Sequence, residues 1–309
     1  MYLFKNVLYI LLFLNLIGCG LNDSNNKTEP APVSTIFLDV ENPTWSPDGS
    51  KILYTDNGFT SITRDHKYFA EDVDSMGVRF INSDGTGGKK IFDFAYADWS
   101  PSGEQILLVI NYTVFVANFD GSSIDTSSIE QLTFDGANFN PKWSPDGKYL
   151  IYEQLSCVED QIICGLWLMD LMTNDQQLIS RRATDGTWSK DSERVVFVKN
   201  SSSGSTFYEY NLTTGSEKII HEMEGKSYNL SLSPLEDLLA FESGVNGEVR
   251  NIWKLDLISK TLTRLTTEWT VMPDWSPDGT KIAYVASGIW VMNSDGSNKE
   301  NLKPLPYID

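Results

Sequence analysis

Histidine is almost missing from this chain. Two in 309 residues, His66 and His221, exclude a multi-histidine metal centre. They also leave Ser-His-Asp catalysis little to stand on, the more so because no Gly-x-Ser-x-Gly turn occurs. Basic residues are few as well: 24 Lys and Arg stand against 42 Asp and Glu, a formal net charge of −18. A body this acidic lacks the basic face that nucleic acid and anionic lipid surfaces require, so cationic partners or Ca²⁺ fit it better. A phosphate loop is absent too: "EGKS" at Glu224 to Ser227 has the lysine and serine of one, but Ile220 stands where the first glycine belongs. Carboxylates are so numerous that their pairing in sequence carries no catalytic signal.

Long apolar runs are also lacking, with one exception at the N-terminus. From Val7 to Gly18 only Asn15 interrupts the run, and Lys5 precedes it. That length falls short of the roughly 20 residues a bilayer span needs and suits a signal-peptide core. It ends in "LIGC", Leu16 to Cys19, which resembles the lipobox of bacterial lipoproteins. The resemblance implies cleavage after residue 18, diacylation of Cys19 (palmitate-type chains) and a membrane tether firmer than one acyl chain provides. Gly20 after that cysteine, in place of Asp, implies the outer membrane on the rule enterobacterial lipoproteins follow. Residues 19–33 are polar and contain proline, as a flexible spacer does. Loss of Lys5 with the signal peptide takes the formal charge from −18 to −19. Of the three cysteines, Cys157 and Cys164 then remain, seven residues apart. In an oxidising compartment they are expected to close a disulfide loop worth about 2.5 kcal/mol on the chain-entropy account.

What is abundant is a repeated phrase: "PTWSPDGSKILYT", "ADWSPSGEQILLV", "PKWSPDGKYLIYE" and "PDWSPDGTKIAYV". Its Trp falls at Trp45, Trp99, Trp143, Trp188 and Trp275, with Leu232 in the Trp position of a degenerate copy, at intervals of 54, 44, 45, 44 and 43. A period near 44 is that of propeller blades. In these copies Ser-Pro-Asp-Gly, or Ser-Pro-Ser-Gly in the second, supplies tight-turn chemistry between a strand ending in Trp and an apolar β-run. A third run ("VRFIN", "LWLMDL", "IWVMN") and a fourth ("KKIFDF", "IEQLTF", "LTRLTT") complete four strands per unit. The expectation is an all-β, six-bladed propeller over 34–309, with four antiparallel strands per blade. The Trp fills the wedge between blades and the turn Asp caps the hairpin. Copies four and five, "SKDS" and "SPLE", are expected to form looser hairpins. For ring closure, Ser34 to Val40 and the C-terminal "ENLKPLPYID" compete as the outer strand of the last blade, and six blades with the early strand packed near the last is the preferred solution.

"WSPDG" followed by a β-run, an "IWVMNSDG" strand and a "LT" strand resembles the TolB-type propeller repeat over about residues 34 to 309. The resemblance implies the fold. TolB carries an extra α/β domain before its propeller, where this sequence has only the spacer, so the Tol-Pal role does not carry over. Similar propellers are fused to prolyl oligopeptidase-like hydrolases, and a related one in oligogalacturonate lyases holds a metal through several His. No hydrolase domain and too few histidines are present here.

Two places are candidate sites. In a four-stranded meander the loops joining strands two and three share a face with those joining one blade to the next. That face collects the insertion from Asp56 to Met76, the Cys157–Cys164 loop, "KNSSSGST" and "ESGVNGEVR", and irregular loops carry function. Within the insertion Phe59, Arg64, His66, Tyr68 and Phe69 are candidate partner contacts. Three residues before each Trp position stand Asn42, Tyr96, Asn140, Asp185, Asn229 and Met272, which a propeller gathers around one mouth of its channel as a ligand site or as loop caps. Asp98, Lys142 and Asp274, one residue before the Trp, form an alternative register, and only one of the two is expected to face the axis. The functional expectation is a monomeric, lipid-anchored envelope protein, non-enzymatic, binding a protein, peptide or glycan. The alternative is a carbohydrate-active lyase or hydrolase with carboxylates at the channel mouth. No cofactor is expected beyond Ca²⁺ in the channel.

Overall fold

The serine of each Ser-Pro-Asp-Gly stretch is the pin of its hairpin. In the computed structural model, which describes residues 40–58, 62–63, 74–93, 95–155, 157–158, 161–162, 164–235, 237–245, 248–304 and 307–308, Ser46 Oγ donates to Asp48 Oδ1 at 2.6 Å and accepts from Lys51 N at 2.9 Å. Ser144 with Asp146 and Tyr149, and Ser276 with Asp278 and Lys281, repeat the arrangement. Gly49 takes the left-handed conformation that closes the turn. The fourth copy is as tight as the rest, contrary to the sequence expectation. Ser189 donates to Asp191, Arg194 N donates to Ser189 Oγ at 3.0 Å, and Ser192 adopts φ 61° where copies one, two, three and six have glycine. The left-handed well is open to any residue at a modest cost, and the Ser-Asp pin survives the loss of Pro and Gly. In the fifth copy the backbone bond Ser233 N to Leu238 O remains at 2.8 Å.

Each turn joins the inner two strands of a four-stranded antiparallel sheet, and six such sheets follow in chain order. Blade 1 is Val40–Trp45, Lys51–Asp56, Gly77–Asn82 and Lys89–Phe92. Blade 2 is Tyr96–Trp99, Gln105–Ile110, Thr113–Asn118 and Glu130–Gln131. Blade 3 is Asn138–Trp143, Tyr149–Gln154, Gly165–Asp170 and Gln176–Arg181. Blade 4 is Thr184–Trp188, Arg194–Asn200, Ser205–Asn211 and Ser216–Met223. Blade 5 is Lys226–Leu232, Leu238–Gly244, Asn251–Asp256 and Leu262–Arg264. Blade 6 is Val271–Trp275, Lys281–Ala286, Gly288–Asn293 and Glu300–Pro304. The protein is a six-bladed β-propeller.

The core lies between blades rather than inside them, because one four-stranded sheet has two apolar faces and nothing of its own to cover them. Each of six buried clusters joins two neighbouring blades, and the Trp of the later blade sits in five of them. Trp99 packs with Leu53, Val78 and Phe80 of blade 1, and its indole N–H donates to Thr44 O at 3.2 Å. Trp188 does the same to Lys142 O of blade 3 at 3.1 Å. Leu232 replaces the Trp between blades 4 and 5.

The same packing closes the ring. Val40, Trp45 and Tyr54 of blade 1 share a cluster with Val271, Val285 and Ile289 of blade 6. The outer strand of blade 6 is Glu300–Pro304, so the C-terminal segment takes the place for which Ser34 to Val40 competed. Val40 itself opens the inner strand of blade 1, and residues 34–39 lie outside the described residues. Across the junction Lys303 Nζ lies 2.7 Å from Asp56 Oδ2, which Arg79 also approaches at 3.3 Å. Beyond it Tyr307–Ile308 pairs in parallel with Ile62–Thr63 of the blade 1 insertion.

Candidate functional site

Five of the six inner strands are interrupted at the same place. Their register slips between Glu41 and Thr44, Phe139 and Lys142, Thr184 and Thr187, Tyr228 and Ser231, and Val271 and Asp274. At each bulge the left-handed residue is one of those expected at the channel mouth: Asn42, Asn140, Asp185, Asn229 and Met272, with φ between 46° and 56°. Asn and Asp tolerate that conformation best among residues with a Cβ, which explains four of the five identities. Blade 2 pairs without a slip, and Tyr96 is an ordinary strand residue.

A bulge leaves an N–H without a partner in its own sheet, and here a neighbouring blade supplies the acceptor. Asp185 N donates to Glu153 Oε1 of blade 3 at 2.9 Å, and Asn229 N to Asp185 Oδ1 of blade 4 at 2.7 Å. Met272 N donates to Glu242 Oε2 of blade 5 at 2.9 Å, and Asn42 N to the Met272 sulfur at 3.3 Å. The chain of bonds stitches blades 3, 4, 5, 6 and 1 around the axis. Side chains add to it: Asn140 Nδ2 reaches Glu153 Oε1 at 2.8 Å, Asn229 Nδ2 reaches Glu242 Oε2 at 3.0 Å, and Glu41 is hydrogen-bonded to Tyr96 and Asn57. Arg250 pairs with Glu242 at 2.7 Å and covers the Tyr228 ring.

The second register faces the axis as well, one layer deeper, which corrects the expectation that only one does. Asp98 accepts from Thr44 Oγ1 and from its neighbour Trp99 N, both at 2.9 Å. Asp274 accepts from Trp45 N and Ser231 Oγ at 3.0 Å. Lys142 Nζ crosses from blade 3 to Leu230 O of blade 5 at 2.9 Å, and its charge acts on Asp98, Glu153, Asp185 and Asp274. Glu153 and Glu242 are the residues sequence reading missed. Their signal was a carboxylate inside otherwise apolar β-runs, "YLIYE" and "LLAFE".

Removal from bulk water raises the proton affinity of these acids. Burial, then the nearby Asp185, pushes Glu153 up to about 8. Burial, then Asp274, pushes Asp98 to about 6. Burial also raises Glu41, Asp185 and Asp274. Glu153 Oε1 already accepts two N–H bonds, so the proton belongs on Oε2.

Other candidates are placed as follows. Cys164 is buried and disulfide-bonded. The backbone of Cys157–Val158 forms a short ladder with Gln161–Ile162, and the Cys157 side chain lies outside the described residues. Phe59, Arg64, His66, Tyr68 and Phe69, together with Cys19, lie outside them too. Among the described residues no three His, Cys, Asp or Glu are grouped to hold a metal ion, and no helix is long and apolar enough to cross a membrane.

No protein-family model matches the chain. Among curated proteins, a probable dipeptidyl peptidase 4 of Neosartorya fischeri is 31% identical over 152 residues, covering 42% of this chain and 18% of that protein. The chain thus spans less than a fifth of the length of such relatives. Among solved structures, TolB from Acinetobacter baumannii matches 81% of this chain and 63% of its own, with a TM-score of 0.65 at 20% identity. The chain has the TolB-type propeller fold. An oligogalacturonate lyase in complex with manganese matches 85% of this chain and 78% of its own at 12% identity, with a TM-score of 0.54. The TolB-type fold is therefore shared with proteins of differing activity, and function has to be argued from the site.

Proposed function

We propose that this chain is a cell-envelope lipoprotein, tethered through Cys19 at the outer membrane, whose TolB-type propeller is a monomeric, non-enzymatic scaffold for a protein, peptide or glycan. The observation that carries the reading is the difference between the two faces. One presents compact turns pinned by serine and aspartate. The other presents the longer connections between second and third strands and the mouth of the channel, where five bulges leave side chains of mixed polarity around the axis. Scaffolds of this kind bind through the irregular face. The test is a pull-down from envelope extract with the soluble domain from Val33 onward. A partner captured by the wild type and lost when 59–69 are replaced, with thermal stability nearly unchanged, supports the reading; capture that survives the replacement rejects that face.

A second reading has its own observation. Glu153, held protonated near neutral pH beside Asp185, has the chemistry of a general acid next to a second carboxylate. An envelope lyase or hydrolase acting on carbohydrate would use it. Turnover of cell-wall or plant polysaccharide by the purified domain, lost in both Glu153→Gln and Asp185→Ala, would establish that reading over the scaffold.

A further inference from the structure

The loop face over blades 2 and 3 carries apolar side chains that nothing in the fold requires to be there. Phe134, in the connection between the two blades, is 75% exposed, and Leu155, just after the second strand of blade 3, is 40% exposed. Between them and the channel mouth Tyr112 and Phe139 form an aromatic pair with centroids 5.1 Å apart. The patch is held in shape by backbone bonds: Leu155 N donates to Ala137 O and Asn138 N to Tyr112 O, at 2.9 and 2.8 Å. Asn111 and Tyr112 form a two-residue hairpin with both φ angles positive, 49° and 63°. Asparagine suits such a turn; a tyrosine there is strained by about 1 kcal/mol.

Charge decides what fits this patch. It runs inward to Asn140, Glu153, Asp185 and the Glu41–Tyr96 pair, and Tyr112 lies close enough to Tyr96 to act on its phenol. Exposed Asp135 follows Phe134 at the rim. Counting the deeper layer but not the protonated Glu153, the acids Glu41, Asp98, Asp185, Glu242 and Asp274 lie with Lys142 and Arg250, and Arg250 is already committed to Glu242. An aromatic surface bordered by carboxylates attracts a positive side chain twice, through the ring faces and through Coulomb energy in a half-dry setting. It repels anionic glycans and acidic peptides.

Resting on the reading of this face as the partner surface, we propose that the Phe134–Leu155–Tyr112–Phe139 patch docks an extended polypeptide segment in which apolar residues alternate with Lys or Arg. The apolar side chains lie on the rings, and a basic one points to the carboxylates of the mouth.

The probes are three labelled peptides, Arg-Leu-Arg-Leu, Gln-Leu-Gln-Leu and Glu-Leu-Glu-Leu, with blocked ends, titrated by fluorescence anisotropy against the full mature chain. The basic peptide is expected to bind at least about tenfold tighter than the acidic one, and to weaken severalfold between about 50 and 200 mM salt. Phe134→Ser combined with Tyr112→Asn should weaken it by about tenfold or more. Tyr112→Asn keeps a residue suited to the left-handed turn, and Phe134 is exposed, so melting temperature should hold. Equal binding of the neutral peptide overturns the role of charge. Binding of the basic peptide unaffected by the double variant overturns the patch and leaves only attraction to an acidic body. Absence of binding by all three overturns the proposal as a whole. If the envelope pull-down still yields a partner that depends on 59–69, the scaffold reading stands while this inference falls.

Discussion

Lys142 shows how far one side chain can hold this molecule together. Its ammonium is the positive charge that Asp98, Glu153, Asp185 and Asp274 share, and it satisfies a carbonyl two blades away. Lys142→Met keeps the stem and removes the charge. Several buried acids are then left without compensation, and urea denaturation should show a loss of about 3–5 kcal/mol. The loss should be larger at pH 8 than at pH 5, because at pH 5 Asp98 and Glu153 carry protons. An equal loss at the two pH values would make Lys142 a packing residue only. The turn serines work on a smaller scale: Ser276→Ala strands Lys281 N and should cost about 1–3 kcal/mol. Ser192→Gly relieves a side chain at φ 61° but removes the hydroxyl that accepts from Asp146 N at 3.0 Å, so the two effects should offset and leave stability within about 1 kcal/mol of the wild type.

Among elements, the third strand has a requirement that propensity alone does not express. Gly165 and Gly288 open their strands at φ 155° and 107°, and a Cβ on either would sit 2.1 Å from Ser180 O or 1.9 Å from Lys303 O of the fourth strand. The fourth strand bulges there, its register slipping between Leu166 and Trp167 and between Ile289 and Trp290. Gly288→Ala should therefore lower stability by about 1–3 kcal/mol although the side chain added is only a methyl, and a melting curve shows it directly. The inner strands bulge for a related reason. The inner strand is the edge of its sheet and has only one partner strand, so part of its N–H groups face the channel, and the slip re-aims one of them at the adjoining blade. The slip at Asp185, Asn229 and Met272 turns those N–H groups toward carboxylates of the preceding blade.

For the whole molecule, stability is set by two opposed groups of acids. The turn aspartates Asp48, Asp120 and Asp146 are held down to about 2 by serine hydroxyl, backbone N–H or lysine donors, so what they contribute is present above their ordinary range near about 4 and disappears as pH falls toward 2. The channel acids have raised values. Their contribution is full below about 4 and is lost as pH rises through about 6 for Asp98 and about 8 for Glu153. Thermal stability should peak between about pH 4 and 6 and fall toward pH 9; a maximum at pH 8 or above would contradict the channel assignments. The junction of blades 1 and 6 is the seam of the ring. Removing the charge at Lys303 leaves Asp56 with Arg79 alone at 3.3 Å, and Lys303→Met should cost about 1–3 kcal/mol.

The sequence by itself determined the number of blades, their four strands, the turn chemistry and the wedge-filling Trp, because a repeat of about 44 residues states the same local physics six times. It also pointed to the positions that ring the channel, through Asn or Asp three residues before four of the six Trp positions. Only the tertiary structure decided what those residues do. Their left-handed backbone turns N–H groups toward Glu153, Asp185 and Glu242, whose partners stand 30 to 44 residues away in sequence. It also decided that both registers reach the axis, that Ser192 can replace glycine, and that the C-terminal segment supplies the last outer strand. Pairing between distant segments has no local signature, since hydrogen-bond donors in a bulge choose their acceptors only after the blades have closed into a ring.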